Sequence, residues 1–214
     1  MALTLYMHPL SSYCHKALIA LYENAVAFEP HVVDLGDPAA RDAFRRLWPI
    51  GKFPVLHDDA RAQTIPESTC IIEYLARHYP GPVQLIPNDP ELAARVRSTD
   101  RFYDLHVHDP MQRIVGDRLR PADNKDPFGV AAAEAMLVKS YDLIDAEMAG
   151  RTWAVGDVFT LADCAAAPPL FFANKLVPFG ERHNLSAYFR RLSRRPSVAR
   201  AFNEAEPFLK FFPG

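Results

Sequence analysis

The sequence predicts an α/β unit of order βαβ-ββα followed by an all-helical domain, and three observations carry that expectation. Up to about residue 80, short β-rich runs alternate with longer helical patterns. The stretch "PGPVQLIPNDP" then sets four prolines in eleven residues with little periodicity, which reads as a linker over 81–89. Beyond it, apolar residues recur only at helical spacing, so 90–214 reads as all-helical.

Taken in order, Ala2 to Met7 alternates as a strand does, and Ser12 to Glu23 places apolar residues at helical spacing. Ala27 to Asp34 reads as a second strand and Pro38 to Leu47 as a second helix, completing βαβ. Pro54 to His57 and Ala60 to Thr64 read as a hairpin turning at Asp58-Asp59, whose side chains favour tight turns. Ile71, Ile72, Leu75 and Tyr79 mark a third helix, stopped by Pro80-Gly81.

Asp89-Pro90-Glu91 supplies an N-cap, a proline at the first helical position and an acid in the first turn, so a helix starts there and runs to about Leu119. Pro110 removes one backbone donor inside it, which predicts a kink near His106 to Asp109. Helices over 127–149, 160–174, 184–194 and 196–205 follow from the same signals. The last of these precedes an apolar tail, "FLKFF", expected to pack across the domain junction or over a pocket.

Composition narrows the function. Lys+Arg (24) and Asp+Glu (26) nearly cancel, so no whole-molecule field draws the chain to nucleic acid or to an anionic membrane. Arg190, Arg191, Arg194, Arg195 and Arg200 therefore read as a solvated helical face. No run reaches the ~18 apolar residues of a membrane span, no signal peptide is evident, and Cys14, Cys70 and Cys164 are odd in number and far apart. A cytoplasmic protein with free thiols and small-molecule partners is expected.

Four segments carry chemistry. In "LYMHPLSSYCHKALIAL", Ser11 lies where the first strand meets the first helix, and the unpaired N–H groups of a helix start favour an anion such as a thiolate; Ser11 or Ser12 as a simple cap accounts equally for the pattern. In "GKFPVL", a proline opening a short strand is compatible with a cis peptide and with pairing of an extended ligand, and equally with an ordinary edge strand. In "IPESTCIIEYL", Glu67 and Ser68 start a helix whose free N–H groups suit a carboxylate, Glu67 suits an ammonium, and capping explains them as well. In "VGDVFTLADCAAA", Thr160 and Asp163 form a capping box, with Phe159 stapled onto Cys164, a folding signal. No metal-ligand spacing accompanies His8, His106 or His108.

In this order, over nearly the whole chain, these segments resemble the glutathione transferase family. The resemblance implies a thioredoxin-like glutathione domain over 1–80 and a helical domain over 90–214 that contributes an electrophile pocket. The pattern S-S-x-x-x-x-A-x-I-A-L resembles the theta and zeta classes, which implies Ser11 as the catalytic serine that hydrogen-bonds the glutathione thiolate. Lys52, Phe53, cis Pro54, Val55, Glu67 and Ser68 would bind glutathione, Lys52 meeting the glycyl carboxylate, Val55 pairing with the cysteinyl backbone, and Glu67 and Ser68 holding the γ-glutamyl end. His8, Leu10, Tyr103 and His106 would line the electrophile pocket. Glutathione is then the co-substrate, with no metal, and a symmetric homodimer and a detoxifying role are implied.

The class stays open, because Tyr13 and His15 stand where zeta-class sequences carry cysteine and tryptophan, and Trp48 replaces an asparagine usual in the loop before Pro54. Alternatives to conjugation are a glutathione-binding regulatory module and a glutathione-dependent isomerase or thiol transferase. "SSYC" resembles the glutaredoxin pattern with the attacking cysteine replaced by Ser11, so Cys14 reads as a packed residue, and Tyr6 as a half-buried strand residue.

Overall fold

The computed structural model describes residues 3–213, so the first expected strand residue, Ala2, lies outside the described residues. Four strands, β1 (Leu3–Met7), β2 (Glu29–Val32), β3 (Val55–Asp58) and β4 (Gln63–Pro66), form one mixed sheet in the order β2-β1-β3-β4. β1 runs parallel to β2 and antiparallel to β3, and β3 and β4 form the hairpin. The helices among them are α1 (Ser12–Glu23), α2 (Pro38–Leu47) and α3 (Ser68–His78), giving βαβ-ββα.

β1 alternates because its two faces meet different helices. Leu3, Leu5 and Met7 are buried in the main core with α1 and α3, while Tyr6 on the other face packs with Phe44 of α2, ring centroids 6.1 Å apart. Leu18, Ile19 and Leu21 of α1 are at most 2% exposed, each side chain contributing ~1.5–3 kcal/mol of apolar burial.

Two strand boundaries differ from expectation. β2 is half the predicted length; Pro30 lacks a ladder donor, and all four β2 residues are exposed at the sheet edge. The hairpin turns later, because Asp58 ends β3 and is not a turn residue. Its buried carboxylate accepts from Ala60 N–H at 2.9 Å and from the hydroxyls of Tyr74 and Tyr79, each at 2.6 Å, so the second strand starts at Gln63.

Residues 79–89 carry neither helix nor strand. The helices beyond are α4 (Pro90–Tyr103), α5 (Asp109–Arg118), α6 (Pro127–Glu147), α7 (Leu161–Leu176), α8 (His183–Arg194) and α9 (Pro196–Ala205). Asp-Pro starts three helices in the chain: Asp37, Asp89 and Asp126 each cap one, accepting from first-turn N–H groups, with the proline at the first helical position.

A fourth Asp-Pro, Asp109-Pro110, falls at the predicted kink, where residues 104–108 form a π-turn and Asp109 N–H bonds Asp104 O between α4 and α5. α7 is the central post, buried on nearly all sides against α1, α4 and α5. Its start is fixed by Asp163, whose carboxylate accepts from Thr160 N–H, Ala154 N–H and Tyr188 O–H at 2.7–2.9 Å.

The arginine cluster is not uniformly solvated. Arg195 forms two 2.6 Å bonds to Glu23 of α1 and lies over the Phe159 ring, tying the helical region to the sheet region. Flat, bidentate pairing of that kind is a use for which arginine is suited. The tail crosses the same junction: Phe212 packs on Phe172 of α7 and Phe208 meets the edge of His8 after β1.

Candidate functional site

A cleft of about 600 Å³ lies where α1 and the β3 loop face the α4–α5 junction, lined by Tyr13, Lys52, Phe53, Pro54, Glu67, Ser68 and the π-turn residues Asp104 and Leu105. A second hollow of about 310 Å³, lined by Ser11, Leu35 and Gln112, shares Tyr13, Lys52, Phe53 and Asp109 with it, so the two form one groove.

At the Ser11 end, β1 leads through a turn in which Ser11 N–H bonds His8 O at 2.9 Å, and Ser11 becomes the N-cap of α1. Its Oγ accepts Cys14 N–H at 3.3 Å. An N-cap side chain accepting in this way keeps its hydroxyl hydrogen available, and the positive end of the helix lies beside it. Ser12 is buried and takes a different role: its Oγ hydrogen-bonds His108 Nε2 and accepts Gln112 Nε2–H at 3.1 Å.

His108 is fully buried and stacked on Tyr13, with ring centroids 3.5 Å apart. Burial, reinforced by the Lys16 ammonium, holds its pKa well below the usual histidine value, so the ring is neutral. Tyr13 stays a neutral phenol because burial, then the carboxylates of Asp104 and Asp109, push its pKa up.

At the other end the Phe53–Pro54 peptide is cis and Glu67 holds a left-handed φ of 68° as the N-cap of α3. A non-glycine residue there costs ~1–3 kcal/mol, a cost found mainly where function fixes the backbone. Ser68, one residue on, is 4% exposed, opens α3 and lines the cleft with Glu67 and Thr69, where the first-turn N–H groups have no partner within the helix.

Beneath this end lies a buried charge network. Lys16 Nζ, wholly enclosed, reaches Asp100 at 2.5 Å, Asp104 at 2.9 Å and Thr69 Oγ1 at 2.9 Å, joining α1 to α3 and α4. Burial raises the Asp104 pKa against the opposing pull of Lys16. The cleft mouth carries both signs, Lys52 and Arg101 against Glu67 and Asp109, and so suits a ligand that is itself zwitterionic.

Set against known proteins, residues 5–83 match the glutathione S-transferase N-terminal domain and residues 102–196 the glutathione S-transferase C-terminal domain. The chain belongs to the glutathione S-transferase family. A glutathione S-transferase-like protein of Fusarium is 33% identical over 165 residues, 74% of this chain and 71% of that protein. A maleylpyruvate isomerase of Ralstonia is 32% identical over 168 residues, 75% of this chain and 77% of its own. A crystal structure of a glutathione S-transferase from Methylobacterium radiotolerans in complex with glutathione sulfonate has a TM-score of 0.81 at 27% identity, covering 94% of each chain.

The fold is thus the thioredoxin-like domain with a helical partner, and the chain is a glutathione transferase by family. Of the residues singled out in the sequence, the groove brings together Ser11, Lys52, Phe53, Pro54, Glu67 and Ser68. Val55 is buried in β3 directly behind Pro54, in register with Tyr6 and Pro66.

The proposed electrophile-pocket residues are not brought together. Tyr103 is only 3% exposed, packed in the helical core, and His106 is exposed, with its carbonyl accepting Ser140 Oγ–H at 2.8 Å. Arg101, Asp104, Leu105, Asp109 and Gln112, which recur at helical spacing across the α4–α5 junction, line the groove instead, and Tyr103 and His106 fall off that face. His8 stands one layer back, stacked on Phe53 at 5.9 Å, and half-buried Leu10 has its N–H on His8 Nδ1.

Tyr13, Gln112 and His108 were not assigned to the site from the sequence, where Tyr13 stood only as a departure from the zeta pattern and His108 only as a histidine without metal-ligand spacing. Cys14 is wholly buried and burial pushes its thiol up to about 12, so it is a packed residue. Among the described residues no group of His, Cys, Asp and Glu has a metal-holding arrangement, and no helix is long and apolar enough to cross a membrane.

Proposed function

We propose that the groove binds glutathione with its thiol at Ser11 and its γ-glutamyl end at Glu67 and Ser68, and that the enzyme transfers the thiolate to a hydrophobic electrophile. The observation that carries this reading is the junction, in one groove, of the α1 N-terminus, the Pro54 loop and the start of α3. Glutathione is a zwitterion with two carboxylates. Lys52 at the mouth meets the glycyl carboxylate, the α3 N–H groups and Ser68 meet the γ-glutamyl carboxylate, and Glu67 meets its ammonium.

A free thiol with pKa ~8.5 is mostly protonated at neutral pH. A hydrogen bond from Ser11 and the positive helix end stabilise the charged form, so the thiolate is present to attack an electrophilic carbon. The hollow lined by Leu35, Tyr13 and Gln112 receives the electrophile beside it. Its mix of an apolar wall, a phenol and an amide suits an aromatic substrate carrying a polar substituent.

Glutathione-dependent isomerisation is the second reading, supported by the 32% identity to the Ralstonia maleylpyruvate isomerase; reversible addition of the same thiolate would serve it. Cytoplasmic residence, in which the three cysteines stay free, assembly as a symmetric homodimer, and a detoxifying role belong to the same proposal. The test is glutathione binding by calorimetry and conjugation of an aryl halide, for the parent and for Ser11→Ala. Binding in both with turnover lost in the variant supports transfer; absence of binding overturns the reading; binding without turnover, in parent and variant alike, points to a binding module in which Ser11 is only a cap.

A further inference from the structure

A further hollow, of about 440 Å³, lies between α5 and the start of α6 and adjoins the Ser11 end of the groove at Gln112, which lines both. A second link crosses the same boundary. Asp109 lines the groove, and its carboxylate accepts Arg113 Nε–H at 2.8 Å from a side chain that lines the hollow. Gln112 is exposed, with its amide held on Ser12 Oγ at 3.1 Å. The space beside Ser11 therefore continues along α5 past Gln112. An engineered cavity of ~150 Å³ takes benzene, so the hollow has room for a chain and not merely for a substituent.

One residue on its wall has no backbone or packing reason to be what it is. Gly116 lies one helical turn, ~6 Å, beyond Gln112 on the same face of α5. Glycine is the poorest helix former after proline, and a left-handed φ or a close neighbour is the usual reason to find it in a helix. Gly116 has neither. Its backbone is ordinarily helical, and among the described residues a Cβ there would meet nothing within 4 Å outside its own stretch of helix. Gly129, on the facing wall, is different: a Cβ would strike the Asp126 carboxylate that caps α6. What the missing side chain at position 116 leaves is open space in the hollow.

The wall is polar and carries two cations and two anions, Arg113 and Arg120 against Asp117 and Asp126. Arg113 pairs with Asp109, Arg120 lies 3.6 Å from Asp117, and Asp126 accepts Gly129 N–H at 2.8 Å. A charged ligand group would meet both signs, so neither is selected. A guanidinium has five N–H donors and no acceptor, and pairing with one carboxylate leaves donors over. With both guanidinium side chains at least half exposed, the wall favours a ligand that supplies acceptors.

We propose that this hollow is a substrate subsite for the far end of an elongated electrophile, an uncharged chain bearing ether or carbonyl oxygens, and that Gly116 determines the length accepted. The inference rests on the proposed thiolate at Ser11, which fixes where the reacting carbon sits. From there the chain passes Gln112 and runs over Gly116, with its oxygens on the guanidinium N–H groups of Arg113 and Arg120. A side chain at position 116 closes that path and leaves the reacting end untouched.

The probes are para-chloromethyl-N-methylbenzamide as the short electrophile, the same amide with a triethylene glycol ether chain on nitrogen, and the same amide with an alkyl chain of equal length. In each, the thiolate sulfur bonds the benzylic carbon while the C–Cl bond breaks and chloride leaves with its electron pair. The readout is kcat/KM for a long amide divided by that for the short one, in the parent, Gly116→Ala and Gly116→Leu. The glycol ratio is expected to stand well above unity in the parent, to fall roughly tenfold in Gly116→Leu and to change little in Gly116→Ala. Both variants should unfold at higher urea than the parent, because the position is open and both side chains favour helix, so the fall is not one of folding. The proposal is overturned if the parent ratio is at or below unity, if Gly116→Leu leaves it unchanged, or if the alkyl chain serves as well as the glycol. Failure of the parent to conjugate even the short amide overturns the thiolate reading, and the subsite with it.

Discussion

Ser11 Oγ accepts the Cys14 backbone N–H at 3.3 Å, and that bond leaves the serine's own hydrogen uncommitted. Capping and catalysis, which compete as explanations when only the sequence is read, are compatible in one side chain: the lone pair caps α1 while the O–H stays free to donate. Ser12, next in the chain, is turned the other way, its hydroxyl engaged by His108 and Gln112. Of the pair, Ser11 lines the groove.

Glu67 joins a left-handed φ of 68° to a position on the groove wall, so its side chain and its backbone are expected to answer to different substitutions. Glu67→Ala should raise KM for glutathione by roughly tenfold or more, the loss of a charge-assisted bond, with a smaller change in kcat. Glu67→Gly should show the same KM defect yet unfold at higher urea than the alanine variant, since glycine adopts positive φ at little cost. Steady-state kinetics and urea denaturation of the two variants check this.

Lys16 is enclosed with Asp100 and Asp104, and removing one member of a buried pair strands the others. Lys16→Met is expected to destabilise the chain by ~3–5 kcal/mol. Adding Asp100→Leu should recover part of that loss by removing a stranded charge, which a double-mutant cycle in urea would measure.

Acid should weaken the fold through its buried histidines. Burial depresses the His15 pKa to about 4 from an unfolded value of 6.5, so stability is complete above 6.5 and falls as pH drops toward 4, where the unfolded chain is protonated and the folded one is not. The loss from this one ring approaches about 3 kcal/mol at the bottom of that window. His108, depressed by burial and by Lys16, adds to the slope in the same direction. His15→Phe, read by thermal denaturation between pH 7 and pH 4, should flatten the profile relative to the parent.

How much of this was legible in the sequence differs by kind of signal. Helix starts written in local chemistry were readable: Asp89-Pro90 and the Thr160–Asp163 box act within four residues, and the bonds they promise are present. Strand ends were less so, because Asp58 is held by Tyr74 and Tyr79 from a later helix, partners that a local reading does not see. The groove wall of Ser11, Lys52, Phe53, Pro54, Glu67 and Ser68 was legible because its parts are loop motifs in fixed order.

The opposite wall was not. Pro110 announced a break in the helix, but neither that the break would be a π-turn nor which face of α4 and α5 would meet the sheet region, the face of Arg101, Asp104, Leu105 and Asp109 and not that of Tyr103 and His106. Likewise the arginine cluster gave no sign that Arg195 would seek Glu23, 172 residues away.

The central claim is that Ser11 stabilises the thiolate, and the ultraviolet absorbance of enzyme-bound glutathione thiolate, titrated with pH, tests it most directly. Ser11→Ala should raise the pKa of the bound thiol by about 1–2 units, the worth of one hydrogen bond to a charged sulfur. Ser11→Gly, which retains most of the cap stability but has no donor, should raise it equally. A bound thiol that titrates in both folded variants as it does in the parent would contradict the account.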